Sequence, residues 1–164
     1  MNQSAPPPRS PRPSRPVRVL GIDFGTRRVG LAVGDLEFKL ASPLEIYLRR
    51  NADLDGKYFC EVADREGAER LVVGVPVHMS GQESGKSREA RAFGQWLHEV
   101  TGRPVVYFDE RYSTAHANQL MAEAGWTEKQ RRERRDMLAA QVMLQAYFDS
   151  PAAVDGADEG TRAL

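Results

Sequence analysis

The sequence predicts an α/β domain on a mixed five-stranded sheet, a three-strand antiparallel meander followed by βαβ units, with helices on both faces. Three observations predict it. Apolar runs at 17–23 and 28–34 are separated by a turn short enough only for a hairpin. Two later apolar runs, 70–75 and 104–108, alternate with segments of helical spacing, as in parallel strands joined by crossovers. The segment 135–148 is apolar over most of a helical circumference, so it needs cover.

The elements follow in order. Residues 17–23 are β-rich and mostly apolar, as in a buried strand. Phe24, Gly25 and Thr26 form the turn, with Gly25 supplying permissive dihedrals. Residues 28–34 form the second strand. Residues 38–46 form the third, with Pro43 confining it to an edge or a bulge. A helix over 53–65 closes near Gly67, and 70–75 is a short buried strand. Residues 83–100 have helical spacing, with Phe93, Trp96, Leu97 and Val100 on one side and Gly102 as the stop. The strand 104–108 runs into Asp109-Glu110-Arg111. Ser113 is a plausible N-cap for a helix to Ala124, closed by Gly125. The last helix covers 135–148. Residues 1–16, rich in Pro and Arg, and 150–164, acidic, carry no periodicity and read as disordered tails around one domain at 17–149.

Composition narrows the function classes. With 164 residues, 41% hydrophobic and 28% charged, the chain suits one domain with a core. No apolar run approaches the ~20 residues of a membrane span. The N-terminus has no apolar stretch of the kind a secretory signal carries. The single cysteine, Cys60, excludes an internal disulfide and suits a reducing cytoplasm. One Cys and three scattered His give no zinc cluster. Lys plus Arg and Asp plus Glu are 23 each, so the net charge does not advertise a nucleic-acid partner. The local charges do: Lys129, Arg131, Arg132, Arg134 and Arg135 are broken only by Glu133.

Acids at element ends carry the candidate chemistry. Asp23 ends the first strand, Asp109 and Glu110 end the last, and Asp136 opens the final helix. Ligands gather at the carboxyl ends of parallel strands. Converging carboxylates repel unless a cation sits between them, and an all-oxygen donor set favours Mg²⁺ or Mn²⁺. Each acid also has a plainer reading: Asp23 as a turn residue, Asp136 as a helix-start residue favoured by the dipole, Asp109-Glu110-Arg111 as a surface ion pair. Side chains alternate along a strand, so only one of Asp109 and Glu110 should face the metals; Glu110 is favoured for its reach.

Arg27 and Arg111 are candidates for bidentate phosphate contacts. The basic run 129–135, with Lys129, Arg131, Arg132 and Arg135, reads either as a solvated face or as a phosphate-backbone contact, and its place beside Asp136 favours the second. The loop 77–87 ends in Ser84-Gly85-Lys86-Ser87 but lacks the full phosphate-loop pattern, because position 80 is Ser80. A substrate-facing loop leading into a helix N-terminus fits it better. His78, His98 and His116 have no evident partners. Cys60 and Trp96 read as core, and Trp126 as either core or a stacking platform.

Four motifs in order carry a family resemblance: Gly21-Ile22-Asp23-Phe24-Gly25-Thr26, Val73-Gly74-Val75-Pro76 with Ser80-Gly81, Asp109-Glu110-Arg111-Tyr112-Ser113-Thr114, and Arg135-Asp136-Met137-Leu138-Ala139-Ala140-Gln141. Together they resemble the YqgF/RuvX family of pre-rRNA nucleases and Holliday junction resolvases, over almost the whole of 17–149. The resemblance implies a ribonuclease-H-like fold, a bacterial cytoplasmic setting and a part in maturing the 5′ end of small-subunit rRNA. It implies that Asp23, Glu110 or Asp109, and Asp136 are the metal-binding acids. Many ribonuclease-H-like nucleases carry an acid on the strand beside the first. Here strand 70–75 is followed by Pro76-Val77-His78-Met79, so that acid would come from the next strand.

The expected function is a metal-dependent phosphodiester hydrolase acting on pre-16S rRNA, with ribosomal components as possible partners. Alternatives are a resolvase of branched DNA, which needs a homodimer rather than a monomer for its two cuts, and a non-catalytic nucleic-acid-binding module. An actin-like or sugar-kinase-like ATPase also begins with Asp-x-Gly-Thr, but it uses two such domains and 164 residues hold one.

Overall fold

The computed structural model describes residues 15–76, 80–112, 122 and 125–150; the side chains at 112, 132, 133, 136 and 137 are not among those described. Residues 1–14 and 151–164, His78, His116 and all but residue 122 of the helix expected at 113–124 fall outside the described residues.

Five strands form one sheet in the order β3-β2-β1-β4-β5. They are β1 (Arg18–Asp23), β2 (Arg28–Asp35), β3 (Leu40–Leu48), β4 (Arg70–Val75) and β5 (Val105–Asp109). β1, β2 and β3 pair antiparallel as a meander, whereas β4 lies parallel to β1 and β5 parallel to β4. The carboxyl ends of β1, β4 and β5 therefore lie side by side. The register shift opposite Leu31 and Ala32 falls at Pro43–Glu45, so Pro43 sits both on an edge strand and at a bulge.

Helices α1 (Ala52–Arg65) and α2 (Gly85–Thr101) cover one face. Leu20, Ile22, Leu71 and Val73 pack there with Phe59, Val62, Phe93 and Leu97. Helix α3 (Glu128–Asp149) covers the other face, where Val19, Val72 and Phe108 meet Ala140, Leu144, Tyr147 and Phe148. Gly21 and Gly34 let α3 approach: a Cβ at Gly21 would stand 2.9 Å from Leu144 Cβ, and one at Gly34 would stand 2.6 Å from Phe148 Cε2. The side chains of Gln141 and Gln145 bond the Ala41 carbonyl and N–H (3.1 and 3.0 Å), which satisfies the open edge of β3. Among the described residues no helix is long and apolar enough to cross a membrane.

Two boundaries differ from the sequence expectation. β3 begins at Leu40, because Asp35 accepts from Phe38 N (2.7 Å) and holds residues 36–39 in a turn, with Lys39 at φ 50°. The last helix begins at Glu128, not 135. Thr127 and Gln130 form a capping box, so the basic run is helix from its start. Asp136 consequently lies in the helix interior, and its reading as a helix-start residue favoured by the dipole falls away.

Candidate active site

Strand parity determines which acids meet. In β1, Val19 and Gly21 face α3 and Leu20 and Ile22 face the other helices, so Asp23 takes the α3 side. In β5, Val106 and Phe108 face α3 while Val105 and Tyr107 face α1 and α2. Asp109 continues the second set and Glu110 the first. Between them, Gly74 of β4 shares parity with Val72 on the α3 side.

The contacts follow this parity. The Glu110 side chain lies across Gly74: a Cβ there would meet Glu110 Oε1 and stand 3.2 Å from both its Cγ and Cδ. The same carboxyl faces the Asp23 side chain closely enough for each to feel the other. Burial, then the charge and side chain of Asp23, then Asp109, push the Glu110 carboxyl up to about 7. Glu110 thus fills from β5 the place where β4 has no side chain of its own.

Asp109 is engaged elsewhere. Its Oδ1 accepts from Arg111 N (3.0 Å), and its Oδ2 accepts from Arg111 Nε (2.8 Å) and pairs with Nη2 (2.6 Å). Burial works to raise its carboxyl, but the Arg111 side chain and N–H outweigh it and hold it below the usual carboxylate range. Asp109 therefore caps the short 3₁₀ turn Glu110–Tyr112 and orients Arg111, which is exposed.

Position 136 lies on α3 at the spacing of Ala140, Leu144 and Phe148, four, eight and twelve residues on. Leu144 covers Gly21 and Phe148 covers Gly34, whose strand partner is Val19, so α3 runs antiparallel to β1. Four helical residues advance ~6 Å and two strand residues ~7 Å. The backbone of 136 is thus carried toward and past the Asp23 end of β1; its side chain is not among those described. Among the described residues no three acids, histidines or cysteines converge.

The candidate cations are on the β1–β2 turn and on the first half of α3. Arg27 is exposed in the β1–β2 turn. Lys129 and Arg135 are exposed on the first turns of α3, and Arg131 bonds Trp126 O through Nε (3.0 Å). Arg134 lies over the Trp126 ring (4.8 Å), which makes Trp126 a shelf for a cation rather than core. Arg132 belongs to the same helix, and its side chain is not among those described. Basic residues at a helix start oppose its dipole, an arrangement that an external anion relieves.

The Ser84–Ser87 segment is a helix start, not a phosphate loop. Ser84 Oγ caps Ser87 N (3.1 Å) and Ser87 Oγ donates to Pro76 O (2.8 Å). Trp96 packs with Phe59 and Phe93, as expected for core. Cys60 is half-buried and donates Sγ–H to Val100 O. His98 is exposed, with Nδ1 at 2.8 Å from Arg103 O. Sequence reasoning missed Gly74 as a seat for Glu110. It also missed the buried Asp55, which accepts from Tyr47 Oη (2.7 Å), Arg50 N (2.9 Å) and Arg49 Nε (3.3 Å). A lone acid four residues into a helix gave no sign of burial.

Known proteins agree with this architecture. Residues 17–150 match the family model described as "RuvX: Holliday junction resolvase". A protein of Rhodopirellula baltica named "Putative pre-16S rRNA nuclease" is 41% identical over 133 residues, 81% of this chain and 77% of that protein. A protein of the same name from Rhodospirillum rubrum is 40% identical over 139 residues, 84% of this chain and 85% of that protein. Among solved structures, the yeast mitochondrial Holliday junction resolvase Ydc2 superposes with a TM-score of 0.50 at 12% identity, over 86% of this chain and 81% of that one, a likeness of fold alone. The chain belongs to the RuvX family and has a ribonuclease-H-like fold.

Proposed function

We propose that the chain is a divalent-metal-dependent nuclease that hydrolyses phosphodiester bonds, with the 5′ end of pre-16S rRNA as its substrate. The observation that carries this reading is the Asp23–Glu110 carboxyl pair over Gly74, at the carboxyl ends of β1 and β5 on either side of the parallel strand β4. A cation site fits it: the donors are hard oxygens, and the Glu110 proton marks negative charge in excess of what the surroundings stabilise. Asp23, Glu110 and Asp136 would hold Mg²⁺ or Mn²⁺. Bound ions of this kind supply an activated water and neutralise the leaving oxygen.

The chain's own residues do the rest. Glu110 gives up its proton when the cation is held, and Asp23 fixes the pair at the strand end. Arg111, oriented by Asp109, takes a phosphate oxygen beside the scissile bond. Arg27 and the α3 cations Lys129, Arg131, Arg132 and Arg135 hold the flanking backbone. The names of the two relatives support RNA as substrate and ribosomal components as surroundings, in the cytoplasm. The family description supports a second reading, cleavage of branched DNA by a homodimer instead of a monomer.

Wild-type protein and Asp23→Asn are incubated with a labelled pre-16S rRNA fragment and a four-way DNA junction, in Mg²⁺, Mn²⁺ or EDTA. The proposal expects metal-dependent RNA cleavage that Asp23→Asn loses. Symmetric junction cutting without RNA cleavage would replace it by the resolvase reading. Binding of both substrates with cleavage of neither would count against an enzyme.

A further inference from the structure

The carboxylate pair has a second flank, on the side away from β4 and β5. Arg28 pairs with Leu48 in register, and Arg49 N donates to Arg27 O (2.9 Å). Arg27, Arg28, Arg49 and Arg50 therefore gather at the neighbouring ends of β2 and β3. They stand two to four residues beyond the row Asp23–Gly30–Ile46. Arg111 follows Glu110 beyond β5, so arginines stand at both margins of the sheet end that carries the pair.

Arg49 is the arginine built into this flank. Its Nε donates to Asp55 Oδ2 (3.3 Å), and its Cζ stands 5.7 Å from the Phe24 ring centroid and 5.0 Å from that of Phe93. Asp55 is only 2% exposed and is fixed by Tyr47 Oη and Arg50 N as well. A carboxylate buried with three donors is a rigid support, and two aromatic faces leave the guanidinium little freedom. Yet the Arg49 side chain keeps 29% exposure. A guanidinium has five N–H donors and the Asp55 bond uses one; the others make no hydrogen bond to a described residue. Phe24, which it covers, follows Asp23 in the chain and packs on the α1–α2 face, whereas Asp23 takes the α3 side, so Arg49 stands at the same end of the sheet but on its other face.

We propose that Arg49, held by Asp55 and by the Phe24 and Phe93 rings, binds a backbone phosphate of a nucleic-acid strand that crosses the sheet end carrying the carboxylate pair, with Arg27 and Arg50 continuing the track. This rests on the nuclease reading above. Arg49 is a binding residue and Asp55 a positioning residue. A planar, preorganised guanidinium suits a phosphate oxygen pair, and its fixed position anchors the strand at this end of the sheet.

The test measures binding without cleavage. A fluorescein-labelled RNA hairpin with a single-stranded 5′ extension is titrated in EDTA at KCl from 50 to 200 mM, and log K is plotted against log [KCl]. Each phosphate that a side chain neutralises adds roughly 0.7–0.9 to the steepness of that plot. Arg49→Gln is expected to weaken binding and to make the plot shallower by about that increment, while Arg49→Lys keeps the slope. Arg65→Gln, on the distant end of α1, is expected to leave it unchanged. If Arg49→Gln leaves Asp55 too poorly paired to fold, Arg49→Gln combined with Asp55→Asn removes both charges and gives the same reading. An Arg49→Gln protein that binds with the wild-type slope, whatever its Tm, overturns the proposal and leaves the nuclease reading standing. Wild-type protein that does not bind the RNA at all overturns both.

Discussion

The Glu110 carboxyl lies against the bare Cα of Gly74, so the acid from β5 occupies the position a β4 side chain would otherwise take. A methyl group there would meet Oε1, the far end of a flexible side chain, and not backbone. Gly74→Ala is therefore expected to fold, with Tm lowered by no more than a few degrees, about 1 kcal/mol at this chain length. It should nevertheless lower kcat by on the order of tenfold or more, since about 1 Å of misplacement is costly in such a site. Comparison of melting curves with nuclease rates checks both halves.

The raised Glu110 carboxyl gives stability a sign with pH. The ordinary Glu value is 4.5 and the folded value about 7, so the native state holds a proton that the unfolded chain has released. The stabilisation is fully present below pH 4.5 and is lost as pH rises through 7. The loss is at most about 3 kcal/mol. Metal-free protein in EDTA should thus melt at lower temperature at pH 8 than at pH 5.5, relative to Glu110→Gln measured alongside. Equal pH dependence in the two proteins would remove the carboxyl pair as its cause.

Asp109 and Glu110, though adjacent, should fail differently. Asp109→Asn takes the charge from Arg111's partner but leaves the Asp23–Glu110 pair in place. The expected result is a KM raised roughly three- to tenfold, as for one weakened charge-assisted bond, with Mn²⁺ affinity within about twofold of wild type. Steady-state kinetics and a metal titration on the same preparation would separate the effects.

Much of this was legible in the residues, for physical reasons that can be named. The strands show because burial demands apolar runs, and β1, β2, β4 and β5 fall within a residue or so of where those runs lie. The start of α3 was hidden because its first turns hold charges with no apolar period, although Thr127 and Gln130 carry a capping-box spacing. The choice between Asp109 and Glu110 turns on which face Phe108 takes, and an apolar strand buried on both faces does not reveal that. Gly74 could be read as a glycine in a strand, but not as a seat for a side chain 36 residues later. The Arg49–Asp55–Phe93 cluster joins three elements and has no local signature at all.

Everything proposed for catalysis depends on Asp23 and Glu110 holding a divalent cation, which calorimetric titration with Mn²⁺ can decide. Wild type, Glu110→Gln and Asp109→Asn are titrated at pH 7.5, with folding checked by circular dichroism. Wild type and Asp109→Asn are expected to bind, and Glu110→Gln to lose affinity on the order of tenfold or more, as on removal of one ligand from a carboxylate site. Unaltered affinity in Glu110→Gln, or a drop in Asp109→Asn instead, would contradict a cation held by this pair.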